Sequence, residues 1–377
     1  MSTIQPFELR ISDEALADLK ARLKATRWIT DGFGADWAYG ATLPFVRQLC
    51  DHWLNRFDWR ALEARINQEP NITTAIDGLT LHSVHRRSTR PDAVPLLLIH
   101  GWPGSFLEFM DLYAPLAEPP PGEPAFHVIT PSLPGYGLSG IPTQPGVTPS
   151  YIADLLAEMM QRLGYPRFML QGGDWGSMVA TEIARRHPER CLGLHLNMVA
   201  GSPPPESKSS DLSPEEQGWV ADFKRFQTEL SGYFAIQSTK PATPAHALND
   251  SPAGLAAWIG EKFYYWTDHQ GQEDLTLPLD KLIGNIALYW FSGTIGASMR
   301  LYYEMMHAPS EERFVTVPTA GAIFPKELIK MPRPWAEKRY NIAQWSVFDR
   351  GGHFAAMEAP DLLVGDIRRF TRTLASR

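Results

Sequence analysis

An aspartate stands where a sharp turn would expose it. The run GGDWGS at Gly172–Ser177 follows the short, mostly apolar Phe168–Gln171 and precedes Val179, Ile183 and Ala184, which recur at helical spacing. Strand, glycine-flanked turn and helix make a nucleophile elbow, in which small neighbours let the backbone kink until one side chain stands above the sheet. The chain has no G-x-S-x-G run, so the exposed side chain is the carboxylate of Asp174. A carboxylate is a poor base, but it attacks carbon directly and leaves an ester that water must later open. Taken alone, Asp174 reads equally well as a turn aspartate. The residues that could serve it tip the balance.

HGWPGS at His100–Ser105 follows another apolar strand, and a glycine-proline turn there can aim a backbone N–H at the nucleophile. The N–H groups of Trp102 and Trp175 are the expected oxyanion donors. Among 11 histidines, His353 in DRGGHF follows the last strand, from where it can reach over the elbow. His127, His187 and His195 read as strand and helix-end residues. A base needs an acid to fix its tautomer. Glu327 in FPKE, after the predicted strand Phe314–Pro318 and a glycine-containing loop, is favoured over Asp349, Glu358 and Asp366. Asn197, at the other site available for an acid, carries no charge. If an oxygen leaves carbon during attack, phenols are apt donors to it. Tyr233, Tyr264, Tyr265, Tyr289, Tyr302 and Tyr303 all fall in one stretch, and their pattern does not select among them.

The elements that position these residues alternate strand and helix from about Pro95, as in a mainly parallel α/β sheet. Strands are predicted at Pro95–Ile99, Phe126–Thr130, Phe168–Gln171, Leu192–Asn197, Phe314–Pro318 and Ile342–Phe348. A helix opening at Thr148-Pro149-Ser150 ends at Gly164. Alternation breaks at the proline- and serine-rich Gly201–Ser213, and a helical, aromatic-rich stretch runs to about Met306. Inserted between two strands, it is expected to lie as a lid over the carboxyl ends of the sheet. Trp258, Phe263, Tyr264, Trp266 and Trp290 in it suggest an apolar pocket. Upstream, a helix over Ser12–Trp28, helices at Leu43–Arg56 and Trp59–Gln68, and aromatics including Phe33, Trp37 and Trp53 suggest a segment wrapped on a larger body. Ile72–Ile76 and Leu79–Val84 flank Asp77-Gly78, a hairpin signal.

Composition narrows the classes. At 377 residues the chain suffices for one large domain with an insertion, or for two domains. A net charge of −7 leaves no basic footprint for nucleic acid. Cys50 and Cys191 have no redox or zinc spacing, so a reduced compartment is expected. Met1–Arg10 does not read as a signal segment, and no apolar run approaches a membrane span.

Taken together, the motifs resemble those of epoxide hydrolases of the α/β-hydrolase fold, in the microsomal-type branch with an N-terminal wrapping segment. The resemblance runs through HGWPGS, PSLPGYGLS, GGDWGS, GYFAIQSTKP with ALNDSPAGLAAWI, FPKE and RGGHFAAMEAPDLL, which span most of the chain. It implies a wrapping segment over 1–70, a core over 71–200 and 307–377, and a lid over 201–306. It also implies cofactor-independent hydrolysis of a small apolar epoxide by water. Asp174 matches the nucleophile, His353 the base and Glu327 the orienting acid. Tyr233 and Tyr302 match the ring-opening donors, and Trp102 with Trp175 the oxyanion residues. The membrane anchor of the microsomal enzyme has no counterpart here, so a cytoplasmic location is expected, while assembly as a homo-oligomer stays open. A haloalkane dehalogenase shares the aspartate and histidine, and a non-catalytic binding protein could share the fold. The tyrosine-bearing motifs favour the epoxide.

Overall fold

Among the described residues, nine strands form one sheet in the order β1-β2-β3-β5-β4-β6-β7-β8-β9. They are β1 (Gln5–Pro6), β2 (Asn71–Ile76), β3 (Leu79–Arg86), β4 (Val94–Ile99), β5 (Phe126–Pro131), β6 (Phe168–Gly172), β7 (Cys191–Leu196), β8 (Val315–Ile323) and β9 (Tyr340–Val347). This computed structural model describes residues 4–30, 36–200, 203, 206–269, 275–309 and 313–376. Phe33 and part of the Gly201–Ser213 segment lie outside them.

From β5 to β9 the strands are parallel, and β1, β2 and β3 add an antiparallel edge. Helices cover a parallel sheet on both faces, which is why its strands read as continuous apolar runs. Leu96–Ile99 and Phe168–Leu170 are almost wholly enclosed. Register then places the chemistry. Ile99 lies opposite Gly172, and Gly172 opposite Leu196, so the turns after β4 and β6 leave the sheet side by side. HGWPGS and GGDWGS therefore meet at one rim. The hairpin of β2 and β3 turns on Asp77 and Gly78 at φ of 50° and 77°, the conformation that a two-residue primed turn needs.

The N-terminal helix is shorter than its periodicity suggested. It runs Asp13–Lys24, with Ser12 Oγ accepting from the Ala15 N–H. The Thr26 hydroxyl donates to the Leu23 carbonyl at 2.8 Å, tying off the last turn before Trp28. Helices Leu43–Asn55 and Trp59–Gln68 follow, capped by Thr42 and Asp58.

Among the described residues, six α-helices between β7 and β8, from Pro214–Arg225 to Ile295–His307, form most of the insertion. Its aromatics divide between two tasks. Tyr264 stacks on Trp37 at 3.5 Å between centroids, and Trp290 meets Trp53 edge-on. The Tyr265 hydroxyl donates to the Trp37 carbonyl at 2.7 Å. These rings bind the N-terminal segment to the insertion instead of lining a pocket, each aromatic pair adding about 0.5–1.5 kcal/mol beyond its buried area. Only Trp266 among the five lid rings singled out in the sequence packs on the catalytic histidine candidate. The insertion is also bolted to the first turn: Asn285 Nδ2 donates to the Pro103 carbonyl, and the Tyr289 hydroxyl to the Gly104 carbonyl.

β8 also departs from expectation, since it continues to Ile323. Gly321 lies inside it, where a Cβ would meet the Trp345 ring at 2.5 Å. The glycine expected in a loop is thus a strand residue beneath an indole. Among the described residues, no helix is long and apolar enough to cross a membrane.

Candidate active site

Asp174 has φ 49° and ψ −129°, a conformation that a residue with a Cβ rarely adopts. Its neighbours explain how the fold tolerates it. A Cβ on Gly172 would strike the Gly176 carbonyl at 2.3 Å, and one on Gly176 would strike that of Ile99 at 1.8 Å. A Cβ on Gly101 would overlap the Asp174 carboxylate itself. Glycine is needed at all three positions so that strand, elbow and HGWPGS turn can touch. Asp174 precedes the helix Trp175–Arg186, whose N-terminal dipole favours a carboxylate there.

The two oxygens of Asp174 face different partners. Oδ1 accepts from the Trp102 N–H at 2.7 Å, and Oδ2 lies 3.4 Å from His353 Nε2. On the other side of the ring, His353 Nδ1–H donates to Glu327 Oε1 at 2.9 Å. That oxygen also accepts from the Leu328 N–H at 2.6 Å, which fixes the carboxylate. His353 and Glu327 are both buried. Burial opposes a charge on His353, but the Glu327 and Asp174 carboxylates outweigh it and hold its pKa well above that of a free imidazole.

Other carboxylates and histidines are engaged elsewhere. Asp349 is exposed. Asp366 accepts from His195 Nε2–H at 3.0 Å and from the Ser346 hydroxyl at 2.7 Å. Glu358, in the short helix Ala355–Glu358, accepts the N–H groups of Asp268 and Phe354 and so braces the loop that carries His353. Asn197 accepts from Gln171 Nε2 at 2.7 Å. Both cysteines are free and buried, and burial pushes their thiols up to about 12.

The tyrosines separate cleanly. Tyr233, from the helix Gly232–Thr239, stacks on Trp102 at 5.2 Å. Tyr302, from Ile295–His307, stands edge-on to Trp175 at 4.7 Å and to Trp102 at 5.8 Å. The two rings are 5.9 Å apart and buried over Asp174. Burial, joined by the charge of Asp174, pushes both phenols well above their ordinary pKa, so each keeps its proton. Tyr303 is 39% exposed and stacks on His307. Tyr264, Tyr265 and Tyr289 are held in the contacts described above.

Three further residues meet this site. Trp266 accepts the His353 N–H on its carbonyl at 2.9 Å, and its ring packs against those of His353 and Tyr233. Lys262 is buried with its ammonium 4.7 Å from the Tyr233 ring centre, beside Glu261. Glu108 lines the cavity behind Asp174. Trp266 was expected in an apolar pocket and Glu108 shows as a lone carboxylate in the apolar run FLEFM, whereas no motif marks Lys262.

Two family models match the chain, "Epoxide hydrolase N terminus" over residues 4–109 and "alpha/beta hydrolase fold" over 94–244. The chain is 37% identical to Epoxide hydrolase 1 of Sus scrofa, across 98% of this chain and 88% of that protein. It belongs to the epoxide hydrolase family. The Aspergillus niger epoxide hydrolase structure superposes with a TM-score of 0.91 at 34% identity, covering 99% of this chain and 97% of that one. Juvenile hormone epoxide hydrolase from the silkworm Bombyx mori gives 0.93 at 31% identity, covering 100% and 96%. An epoxide hydrolase of this fold accounts for the whole length of the chain, wrapping segment and insertion included.

Proposed function

We propose that this epoxide hydrolase converts a small apolar epoxide to a vicinal diol through an alkyl-enzyme ester on Asp174. The observation that carries the reading is the division of the Asp174 oxygens, one held by the Trp102 N–H and the other facing a histidine backed by a carboxylate. In the first step Oδ2 bonds to an oxirane carbon and the carbon–oxygen bond breaks. The departing oxygen takes a proton from one of the Tyr233 and Tyr302 hydroxyls and a hydrogen bond from the other, both phenols being still protonated at neutral pH.

In the second step His353 Nε2 takes a proton from water as the water oxygen bonds to Asp174 Cγ. Negative charge develops on Oδ1, where the N–H groups of Trp102 and Trp175 receive it. Collapse breaks the bond from Cγ to the ester oxygen, which takes the proton from His353; the water's second proton, left on the Asp174 carboxyl, is released through solvent and replaces the one given up by the phenol, so carboxylate and phenol are both restored. Ester formation also prepares its own hydrolysis. It neutralises Asp174, one of the two charges that hold a proton on His353, so the imidazole becomes a freer base when a base is needed. Loss of one oxyanion donor typically costs roughly 10²–10³ in rate.

Single turnover in ¹⁸O-water tests the reading. The diol should emerge without label and the Asp174 peptide should carry it, because the oxygen transferred to substrate comes from the carboxylate. Label found directly in the diol would mean that water attacks the epoxide itself. Asp174→Ala should be inactive.

A further inference from the structure

The departing oxygen needs one proton, and two phenols face it. Their surroundings differ in charge. Around Tyr302 lie the rings of Trp102, Trp175, Tyr233 and Phe234, and among the described residues no cation lies over it. Tyr233 instead has the ammonium of Lys262 4.7 Å from its ring centre.

The fold encloses that ammonium. Trp258, Lys262 and Trp266 are spaced four apart in the helix Pro252–Trp266 and so share one face. Trp266 packs on the Tyr233 ring, and the Trp258 indole N–H donates at 3.3 Å to Oε1 of Gln237, one turn beyond Tyr233 in its own helix. Lys262 lies between these two ties, with its ammonium 5.5 Å from the Trp258 ring centre, and is only 4% exposed. Burying an ammonium is costly unless it is paired. Glu261 pairs with it, but the Glu261 side chain is 20% exposed against 5% for that of Lys262, so water screens the carboxylate more than the ammonium. Burial lowers the Lys262 pKa, and the charge of Glu261 opposes the fall. For Tyr233, burial and the charges of Asp174, Glu327 and Glu261 disfavour ionisation, while a hydrogen bond from Tyr302 favours it. A ring face attracts a cation through its quadrupole, and a phenolate adds a full charge to that attraction.

We propose that Tyr233, not Tyr302, gives its proton to the departing oxygen, and that Lys262 is the positioning residue that decides this by holding its ammonium against the Tyr233 ring. As the epoxide carbon–oxygen bond breaks, the Tyr233 O–H bond breaks too, and its proton passes to the departing oxygen. The electron pair stays on Tyr233 as a phenolate facing Lys262. Tyr302 keeps its proton and supplies the hydrogen bond. The proton released when the ester is hydrolysed restores the Tyr233 phenol. The inference rests on the ring-opening step of the reading above.

Lys262→Met keeps the unbranched stem and removes the charge. In single turnover its alkylation should slow by about tenfold or more, the scale of a desolvated cation–ring attraction, while the ester, once formed, hydrolyses within a few-fold of the unmodified rate. Two double variants decide between a role through Tyr233 and a merely structural one. Combined with Tyr302→Phe, the loss should persist. Combined with Tyr233→Phe, it should shrink to about twofold or less, because the ring remains but has no proton to give. A lysine that only supports the packing would slow both backgrounds alike. If Lys262→Met does not fold, Lys262→Gln enters the same cycle. Equal loss in both backgrounds, a loss that vanishes with Tyr302→Phe instead, or no loss in the single variant overturns the proposal. Unchanged alkylation in Tyr233→Phe and Tyr302→Phe alone would instead defeat the ring-opening reading beneath it.

Discussion

The rings of Trp102 and Tyr233 lie face to face, 5.2 Å apart with planes within 10° of parallel. Trp102 thereby touches the site twice. Its backbone N–H holds Asp174 Oδ1, while its indole supports a phenol on the insertion. The two contacts serve different steps in the proposed reaction. Replacing the ring leaves the N–H in place, so Trp102→Leu should slow ester formation by about tenfold or more and slow ester hydrolysis less. Stopped-flow single turnover separates the two rates. Equal losses in both would mean that the substitution deforms the HGWPGS turn itself.

Tyr233 and Tyr302 should share the ring-opening step. Each Tyr→Phe change keeps the packing against Trp102 and removes one hydroxyl, so alkylation should fall while a pre-formed ester hydrolyses nearly as before. The double variant should be nearly inactive. Tyr303→Phe serves as the control, since that ring is partly exposed and stacks on His307. A loss of alkylation in the control but not in the other two would remove Tyr233 and Tyr302 from the mechanism.

The coupling of His353 to Glu327 sets a pH dependence whose sign follows from the charges. Glu327 raises the histidine pKa, and only the neutral imidazole can accept a proton from water. Ester hydrolysis should therefore rise with pH through the raised pKa and level off above it. Glu327→Gln removes a charge that holds the proton, so the midpoint should move to lower pH. The plateau should fall as well, because the ring loses its orienting partner. Ester decay followed by mass spectrometry across pH gives both quantities; a midpoint that stays fixed or rises would contradict the assignment.

Much of this site could be read from the chain because it depends on local rules. The elbow needs glycines beside a short apolar strand, and Gly172 and Gly176 do meet backbone within 2.5 Å of where a Cβ would sit. The Asp77-Gly78 hairpin likewise announces its positive φ angles. What could not be read depends on contacts remote in sequence. Helical periodicity cannot tell a ring that packs on Trp37 from one that packs on His353, since both are apolar faces of the same helix. The continuation of β8 to Ile323 was hidden because Gly321 weakens the strand pattern, although the Trp345 ring covers it. Pattern alone did not select among six tyrosines, and only the family resemblance did: Tyr302 and Tyr303 are neighbours in the chain, yet the first is buried and the second partly exposed.

The final prediction separates base from nucleophile. Asp174 attacks carbon directly, a step in which no proton has to be taken from water. Its attack on the epoxide should therefore survive loss of the histidine, whereas ester hydrolysis should not. His353→Gln should consume one equivalent of epoxide and stop. Intact-protein mass spectrometry should then show an adduct equal to the whole mass of the epoxide, because ring opening expels no atoms, and peptide mapping should place it on Asp174. Glu327→Gln should accumulate the same adduct more weakly, as its imidazole remains. If His353→Gln turns over at the unmodified rate, His353 is not the base. If it folds and binds substrate but forms no adduct, the histidine also takes part in the attack, and the two-step division of labour around Asp174 has to be redrawn.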